Sequence, residues 1–125
     1  MPVKVRTFRD LIAWQKAKEL AKGVYVVTRE MPADERFGLT NQMRRAAVSV
    51  VSNIAEGHAR QSRLDYLKFL RIARGSLAEL ITQLELAWEL NLMPPSRPTA
   101  DLSAEVDRVL QGLIRSLVAK RLPLP

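Results

Sequence analysis

The stretch LTNQMRRAAVSVVSNIAEG, residues 39–57, combines an apolar stripe with a polar one, and both have helical spacing. Its apolar side chains recur every three or four residues, as they do in a helix with one face in a protein core. The predicted core positions are Leu39, Met43, Ala46, Ala47, Val50 and Ile54. We therefore predict a helix over residues 39–59, with Gly57 acting either as a C-cap or as a point of close backbone approach.

A row of polar residues follows the same helix on another face. Each residue turns by about 100° around a helix, so this row occupies one narrow strip. Its members are Gln42, Arg45, Ser49, Ser52, Glu56 and Arg60, with Asn53 at the edge. Ser and Asn are mediocre helix formers, so helix propensity does not explain them. Two explanations stay open: a half-buried polar seam that fixes register against a neighbouring helix or subunit, or a surface that meets a ligand, with Arg45 and Arg60 as anion contacts.

Three further amphipathic segments flank this helix. We predict helix one over residues 7–29, helix three over 62–91 and helix four over 99–121, with Thr7 and Ser62 as N-caps of the first two. The inward-facing residues are predicted to include Leu20, Val24, Leu70, Leu77, Leu84, Val106 and Leu113. Short connections and the lack of strand-like alternation predict one all-α domain over residues 1–125, an antiparallel up-and-down four-helix bundle.

The apolar surface of the helices is larger than a single bundle covers. The apolar arc of helix two spans about 200°, against the ~100° stripe of a typical surface helix. Residues that fall beside the core stripes are Val48, Val51, Ala55, Ile72, Leu86 and Leu90. Such surface predicts a subunit interface, unless helix two lies deep within its own bundle. The predicted interface or polar seam therefore comprises Gln42, Val48, Ser49, Val51, Ser52, Asn53, Ala55, Glu56, Ile72, Leu86 and Leu90.

The formal net charge of +7 is distributed in blocks along the chain. Residues 44–74 carry seven basic and two acidic side chains, whereas residues 75–107 carry one basic and six acidic side chains. A basic block can attract phosphate backbones or an acidic partner, although Lys and Arg also simply solvate helix faces. We predict a nucleic-acid-binding surface around the turn between helices two and three, formed by Arg44, Arg45, Arg60, Arg63, Lys68, Arg71 and Arg74.

Catalytic, metal and cofactor sites are not predicted. The chain has no cysteine and one histidine, His58, which projects away from Ser49 and Ser52 and is expected to be packed. No glycine-rich phosphate loop is present, so an enzyme such as a nuclease is the least favoured function class. No apolar run approaches the ~20 residues that span a bilayer and no signal peptide is evident, so we expect a cytoplasmic protein without a membrane partner.

Three segments in this order resemble one bacterial family. They are FRDLIAWQKAKEL at residues 8–20, the stretch at residues 39–57, and FLRIARGSLAEL at residues 69–80. Together they resemble the four-helix-bundle proteins found as open reading frames inside 23S rRNA intervening sequences. The accessory variability protein of diversity-generating retroelements is a more distant resemblance. Relatives commonly carry a proline after the Ser-[IV] pair, where this chain has Val51, so a proline kink in helix two is not required here.

The resemblance implies a ring-like homopentamer without catalytic activity and with a nucleic-acid-related role. It also implies that a reverse transcriptase is a possible protein partner, because the accessory relatives bind one. From charge and resemblance together, we expect a non-enzymatic oligomer that binds RNA or DNA mainly through phosphate contacts. The alternative is a protein-interaction scaffold whose basic surface docks an acidic partner such as a reverse transcriptase.

Overall fold

The computed structural model describes residues 4–120, and within that range the chain forms four α-helices and no strand. The helices are α1 (Ile12–Val27), α2 (Leu39–Ala59), α3 (Arg63–Glu89) and α4 (Arg97–Ala119). The predicted four-helix fold is confirmed for this part of the chain. The bounds differ mainly at the start of α1, which begins five residues later than predicted, while the predicted end of helix four at residue 121 lies outside the described residues.

Side-chain contacts between neighbouring helices show that the helices run antiparallel. Along α2 and α3, Gln42 contacts Gln83 and Ser49 contacts Ser76, so residue numbers rise on one helix as they fall on the other. Each helix packs against the next one in the chain, and α4 closes the bundle against α1. The most extensive packing joins α2 and α3. The bundle is therefore of the up-and-down type.

The core lies between the four apolar stripes. Its largest fully buried side chains are Leu20, Val24, Met43, Val50, Ile54, Leu70, Leu77, Leu80, Leu84, Val106 and Leu110. Each buried side chain of this size contributes about 1.5–3 kcal/mol relative to an exposed one. Leu113, which we predicted to face inward, is only half-buried, whereas Leu110 is fully buried. The apolar stripe of α4 is therefore centred nearer Leu110 than its sequence pattern indicates.

The later start of α1 has a local physical cause. Thr7 does act as a cap, but it caps a single 3-10 turn, Phe8–Asp10, rather than α1. Its side chain accepts a hydrogen bond from the amide of Arg9, while the Asp10 carboxylate accepts from the amides of Arg6 and Thr7. Leu11 then adopts extended backbone with ψ of 127°, which interrupts the helix before Ile12.

The turn between α2 and α3 is formed without a glycine cap. Gln61, with φ of 56°, takes the left-handed conformation that ends α2, and Asn91, with φ of 57°, does the same after α3. Gly57 instead lies inside α2, where a Cβ atom would come within 2.7 Å of the Phe69 Cβ. The second prediction for Gly57, close backbone approach, is therefore the correct one.

Candidate nucleic-acid interface

The antiparallel bundle collects basic side chains at one end of the molecule. Here α1 and α3 begin and α2 and α4 end, so chain segments that are far apart in sequence come together. We define the basic end by Arg6, Arg9, Arg60, Arg63, Lys68, Arg115 and Lys120. The acidic residues Glu79, Glu85 and Glu89 belong to the second half of α3, which runs toward the opposite end. The alternating charge blocks of the sequence therefore become a charge difference between the two ends of the bundle.

Two of the arginines predicted to bind phosphate, Arg60 and Arg74, are exposed and also form ion pairs within the chain. Arg60 pairs with Glu56 at 2.9 Å, and its guanidinium carbon lies 5.0 Å from the centre of the Phe69 ring. Arg74 pairs with Asp107 of α4 at 3.0 Å. Exposed pairs of this kind are worth about 0–1 kcal/mol, so their arginines can exchange a carboxylate for a phosphate at small cost.

Four of the seven predicted residues lie outside the basic end. Arg71 and Arg74 are more than two helical turns beyond the start of α3. Arg44 precedes Arg60 by 16 positions on one continuous helix, which separates them by roughly 24 Å along the helix axis at 1.5 Å per residue. The Arg44 side chain contacts α1 instead, donating to the Thr28 hydroxyl at 2.9 Å and lying 4.8 Å from the Tyr25 ring centre. Arg45 is exposed near the start of α2, where it lines a cleft together with Glu79 of α3. The single patch predicted from sequence is wrong in this respect, because nearness in sequence overstates nearness along a helix.

The polar row of α2 is in part a seam with α3. The half-buried Ser49 hydroxyl lies 2.8 Å from the Ser76 hydroxyl, and Asn53 donates to the Ser49 carbonyl at 2.8 Å. Farther along the seam, Gln83 donates to the Gln42 side chain at 3.4 Å. The half-buried seam is therefore found at Ser49 and Asn53, and its partner is a helix of the same chain, whereas Gln42 contacts Gln83 but is itself exposed.

The rest of the polar row faces outward. Arg45, Ser52, Glu56 and Arg60 are exposed. Sequence reasoning did not assign Ser76 and Gln83 to the seam, although both lie on the α2-facing side of α3. The signal that could have found them is the antiparallel register, since a turn at residues 60–62 pairs each position of α2 with one of α3.

The apolar residues predicted to form an interface divide into two groups. One group is exposed: the exposed fractions are 41% for Val48, 42% for Ile72, 46% for Leu86 and 57% for Leu90. Large apolar side chains this accessible are typical of a surface that a partner covers. Val51 packs against the core and Ala55 is half-buried. The wide apolar arc of α2 thus has two causes, because α2 packs against α1 as well as α3 and also presents Val48 outward.

His58 is a packing residue in this structure. Its ring packs edge-to-face against the Tyr66 ring, with centroids 5.6 Å apart. The Ser49 hydroxyl is hydrogen-bonded to Ser76 and Asn53 rather than to His58. Within residues 4–120, no group of three His, Cys, Asp or Glu side chains is arranged to hold a metal ion. None of the helices in the described part of the chain has both the length and the apolar character for a bilayer crossing.

Comparison with known proteins identifies the family. The sequence model of the 23S rRNA-intervening sequence proteins matches residues 9–115. The chain belongs to this family. The resemblance inferred from the three sequence segments is confirmed. A search of functionally curated proteins found no match.

A solved structure supports the same fold. It is a protein of unknown function from the S23 ribosomal protein family of Bacteroides thetaiotaomicron VPI-5482, with a TM-score of 0.73 and 24% sequence identity. The similarity covers 83% of this chain and 96% of the other. At 24% identity, this similarity shows that the two proteins share a fold.

Proposed function

We propose that this family member is a non-enzymatic, oligomeric accessory protein that binds the phosphate backbone of RNA or DNA. The observation that carries the proposal is the basic end, where Arg60, Arg63 and Lys68 lie beside basic residues from both ends of the chain. Backbone binding needs exposed cations rather than a catalytic cluster, and each neutralised phosphate releases counterions. The family's name associates its members with intervening sequences of 23S rRNA, so RNA is the first ligand to test.

Oligomerisation would strengthen such binding. Each exposed arginine contributes little by itself, but a homo-oligomer presents the basic end several times, and linked weak contacts add through avidity. The exposed Val48, Ile72, Leu86 and Leu90 supply apolar surface for self-association. Five subunits are what the family resemblance implies, and the proposal includes that assembly.

The test is a fluorescence-anisotropy titration with short RNA and DNA duplexes and single strands. Nuclease-treated, repurified protein is titrated at several salt concentrations, with light scattering in each buffer to report the oligomer. We expect affinity to fall steeply with salt, at a slope of about −0.9 per phosphate on duplex DNA. The double variant Arg60→Glu/Arg63→Glu should weaken binding by roughly tenfold or more. It should also make the dependence of affinity on salt less steep, by the amount expected for the loss of about two phosphate contacts.

The matched control is Arg29→Glu/Arg97→Glu, which reverses two exposed charges at the opposite end of the bundle. This control changes the net charge equally, so it separates a local site from overall charge. Equal losses in the two double variants would reject the basic end as the site. No binding by the intact wild-type oligomer at low salt would reject nucleic-acid binding altogether.

A protein-docking scaffold is the second candidate. The exposed Ile72 adjoins the exposed Arg71 on α3, and apolar side chains combined with arginine are typical of protein interfaces. An acidic partner, such as a reverse transcriptase encoded nearby, would suit that surface. The failure of wild type to bind any nucleic acid, together with capture of such a partner that Arg71→Glu abolishes, would favour this function.

A further inference from the structure

Phe37 is the most exposed large apolar side chain in the part of the chain that the structure describes. It lies in the loop between α1 and α2, and 87% of it is exposed. Two hydrogen bonds bridge this position: the Gly38 amide donates to the Glu35 carbonyl at 3.0 Å, and the Leu39 amide donates to the Glu35 carboxylate at 3.1 Å. The loop is therefore ordered and holds an apolar ring in water, where covering that ring is favourable.

An apolar pocket opens between α3 and α4. Its volume is about 240 Å³, and its apolar lining consists of Ile81, Leu84, Trp88, Ala100 and Ala104. The buried Ser103 also lines it, but its hydroxyl already donates to the Thr99 carbonyl at 2.8 Å. The pocket therefore suits an apolar occupant. A cavity of roughly 150 Å³ can hold a benzene ring, so this pocket has room for the ring of a phenylalanine.

The Phe37 ring and the α3–α4 pocket lie at one height of the bundle but on opposite sides. Gln42 contacts Gln83 across the antiparallel α2–α3 pair, so Phe37, five positions before Gln42, is at about the height of Trp88, five positions after Gln83. Helices α1 and α2 form one side of the bundle, and α3 and α4 form the other. The ring therefore cannot fill the pocket of its own chain, whereas a copy placed side by side can receive it.

Unpaired charges of opposite sign accompany the ring and the pocket. Arg36 is exposed beside Phe37, with its guanidinium carbon 5.8 Å from the ring centre. Glu85 is exposed and lines the pocket. Among residues 4–120, neither Arg36 nor Glu85 has an oppositely charged group within 4.0 Å. A Phe37 ring in the pocket of a neighbouring copy would bring Arg36 toward Glu85, so the charges are complementary across that contact.

We propose that Phe37 of one copy inserts into the α3–α4 pocket of the next copy, with Arg36 beside Glu85. The partner is a second copy of this chain. The contact joins two different surfaces, and a heterologous contact of this kind closes into a ring when its rotation permits. The inference rests on the oligomeric part of the proposed function and assigns its contact residues, and it does not require nucleic-acid binding.

The first experiment uses engineered cysteines, because the chain has none of its own. The double variant Arg36→Cys/Glu85→Cys keeps the Phe37 ring and is treated with a short bis-maleimide cross-linker. We expect a ladder of covalent species on denaturing electrophoresis. Each single variant should stay uncross-linked, because a heterologous contact places no second thiol opposite either cysteine. Adding Phe37→Ala to the double variant should abolish the ladder.

Light scattering on the same samples separates this inference from the proposed function. An intact oligomer without a ladder would overturn the Phe37 contact while leaving an oligomeric accessory protein in place. Covalent dimers of the single variant Arg36→Cys would also overturn it, because they would show that two loops meet each other. A monomeric wild type would overturn both the contact and the oligomeric part of the proposed function.

The second experiment measures the strength of the contact by sedimentation velocity over a range of concentrations. Phe37→Ala should raise the concentration at which the assembly dissociates by roughly tenfold or more, as expected for the loss of one buried aromatic side chain. Ala104→Trp, which fills the pocket, should have a similar effect. Leu64→Ala is the control, because Leu64 is 61% exposed but lies at the start of α3, at the other end of the bundle.

Circular dichroism checks that each variant keeps its helices. A wild-type assembly in Ala104→Trp would show that no neighbouring copy occupies the pocket and would overturn the proposal, as would equal effects of Phe37→Ala and Leu64→Ala.

A charge exchange tests the alignment of the two copies. Arg36→Glu and Glu85→Arg should each weaken the assembly, because each places like charges across the contact. The two substitutions combined in one chain should restore it. A combined variant that assembles no better than the single variants would overturn the proposed alignment.

Discussion

Ser49 determines how two helices align, although its side chain is among the smallest on α2. Its hydroxyl is 2.8 Å from that of Ser76 and 3.0 Å from the Asn53 amide nitrogen. Both neighbours are half-buried and are less accessible to water than groups on an outer face. A shift of α3 by one residue would separate the two hydroxyls, so the network favours one register.

Removal of either serine hydroxyl should destabilise the fold modestly. We expect Ser49→Ala and Ser76→Ala each to lower the free energy of unfolding by about 1 kcal/mol, because each leaves a half-buried partner without its hydrogen bond. The double variant should cost less than the sum of the two single variants, by about 0.5 kcal/mol or more. Urea unfolding measures all four proteins, and strictly additive losses would show that the hydroxyls do not interact.

Tyr66 should make stability depend on pH in the alkaline range. Burial raises the pKa of Tyr66 to about 12, above the value near 10 expected for an unfolded chain. The folded state therefore holds the phenolic proton more tightly, which contributes stability below about pH 10 that is lost as the pH rises toward 12.

The measurement is the urea midpoint of wild type and Tyr66→Phe at several pH values from 8 to 12. The difference between the two proteins isolates this tyrosine from lysine titration. We expect the advantage of wild type, relative to its value at pH 8, to decline between pH 10 and 12. Parallel curves over that range would contradict the assignment.

At the scale of secondary-structure elements, two helical glycines, one in the last turn of α2 and one in the middle of α3, have opposite surroundings. Gly57 is buried, and a Cβ atom there would lie 2.7 Å from the Phe69 Cβ and 3.3 Å from a Tyr66 ring carbon. Gly75 is exposed, and apart from its chain neighbours and the nearby backbone of its own helix no atom of the described residues lies within 4 Å of where its Cβ would be. The close packing of α2 and α3 thus requires the first glycine and not the second.

Alanine substitutions at these two positions form a matched pair. Gly57→Ala should lower the free energy of unfolding by about 1–3 kcal/mol, because α2 and α3 must move apart or distort. Gly75→Ala should raise it by about 0.5–1 kcal/mol, because alanine is the better helix former. Thermal and urea unfolding provide the measurement. A loss of stability in Gly75→Ala that accompanies a smaller particle by light scattering would instead mean that a second subunit approaches this glycine.

At the scale of the whole molecule, the exposed apolar residues of α2 and α3 predict self-association. Ile72→Gln should shift the assembly toward smaller species without loss of helical content, because it removes apolar area that a neighbouring subunit would cover. Ile12→Gln is the control, since Ile12 is also an exposed isoleucine, at 62%, but lies on α1. Sedimentation velocity over a range of concentrations compares the variants. A monomeric wild type, or equal behaviour of the two variants, would contradict an interface at Ile72.

The sequence by itself determined the four-helix fold, the extent of α2, the Ser62 cap and the family. These features depend on interactions between residues that are close in the chain: apolar repeats at helical spacing, a hydroxyl three positions before the amide it caps, and short motifs in a fixed order. The same local pattern predicted too early a start for α1, because Leu11 fits the apolar repeat although its backbone is extended.

Only the tertiary structure decided which groups meet. It pairs Ser49 with Ser76, places Arg44 over the Tyr25 ring of α1 and packs Gly57 against Phe69. A helical wheel gives the direction of each side chain but not the helix that faces it or the register of that helix. Those follow from the antiparallel packing of all four helices, which also gathers distant basic segments at one end of the bundle.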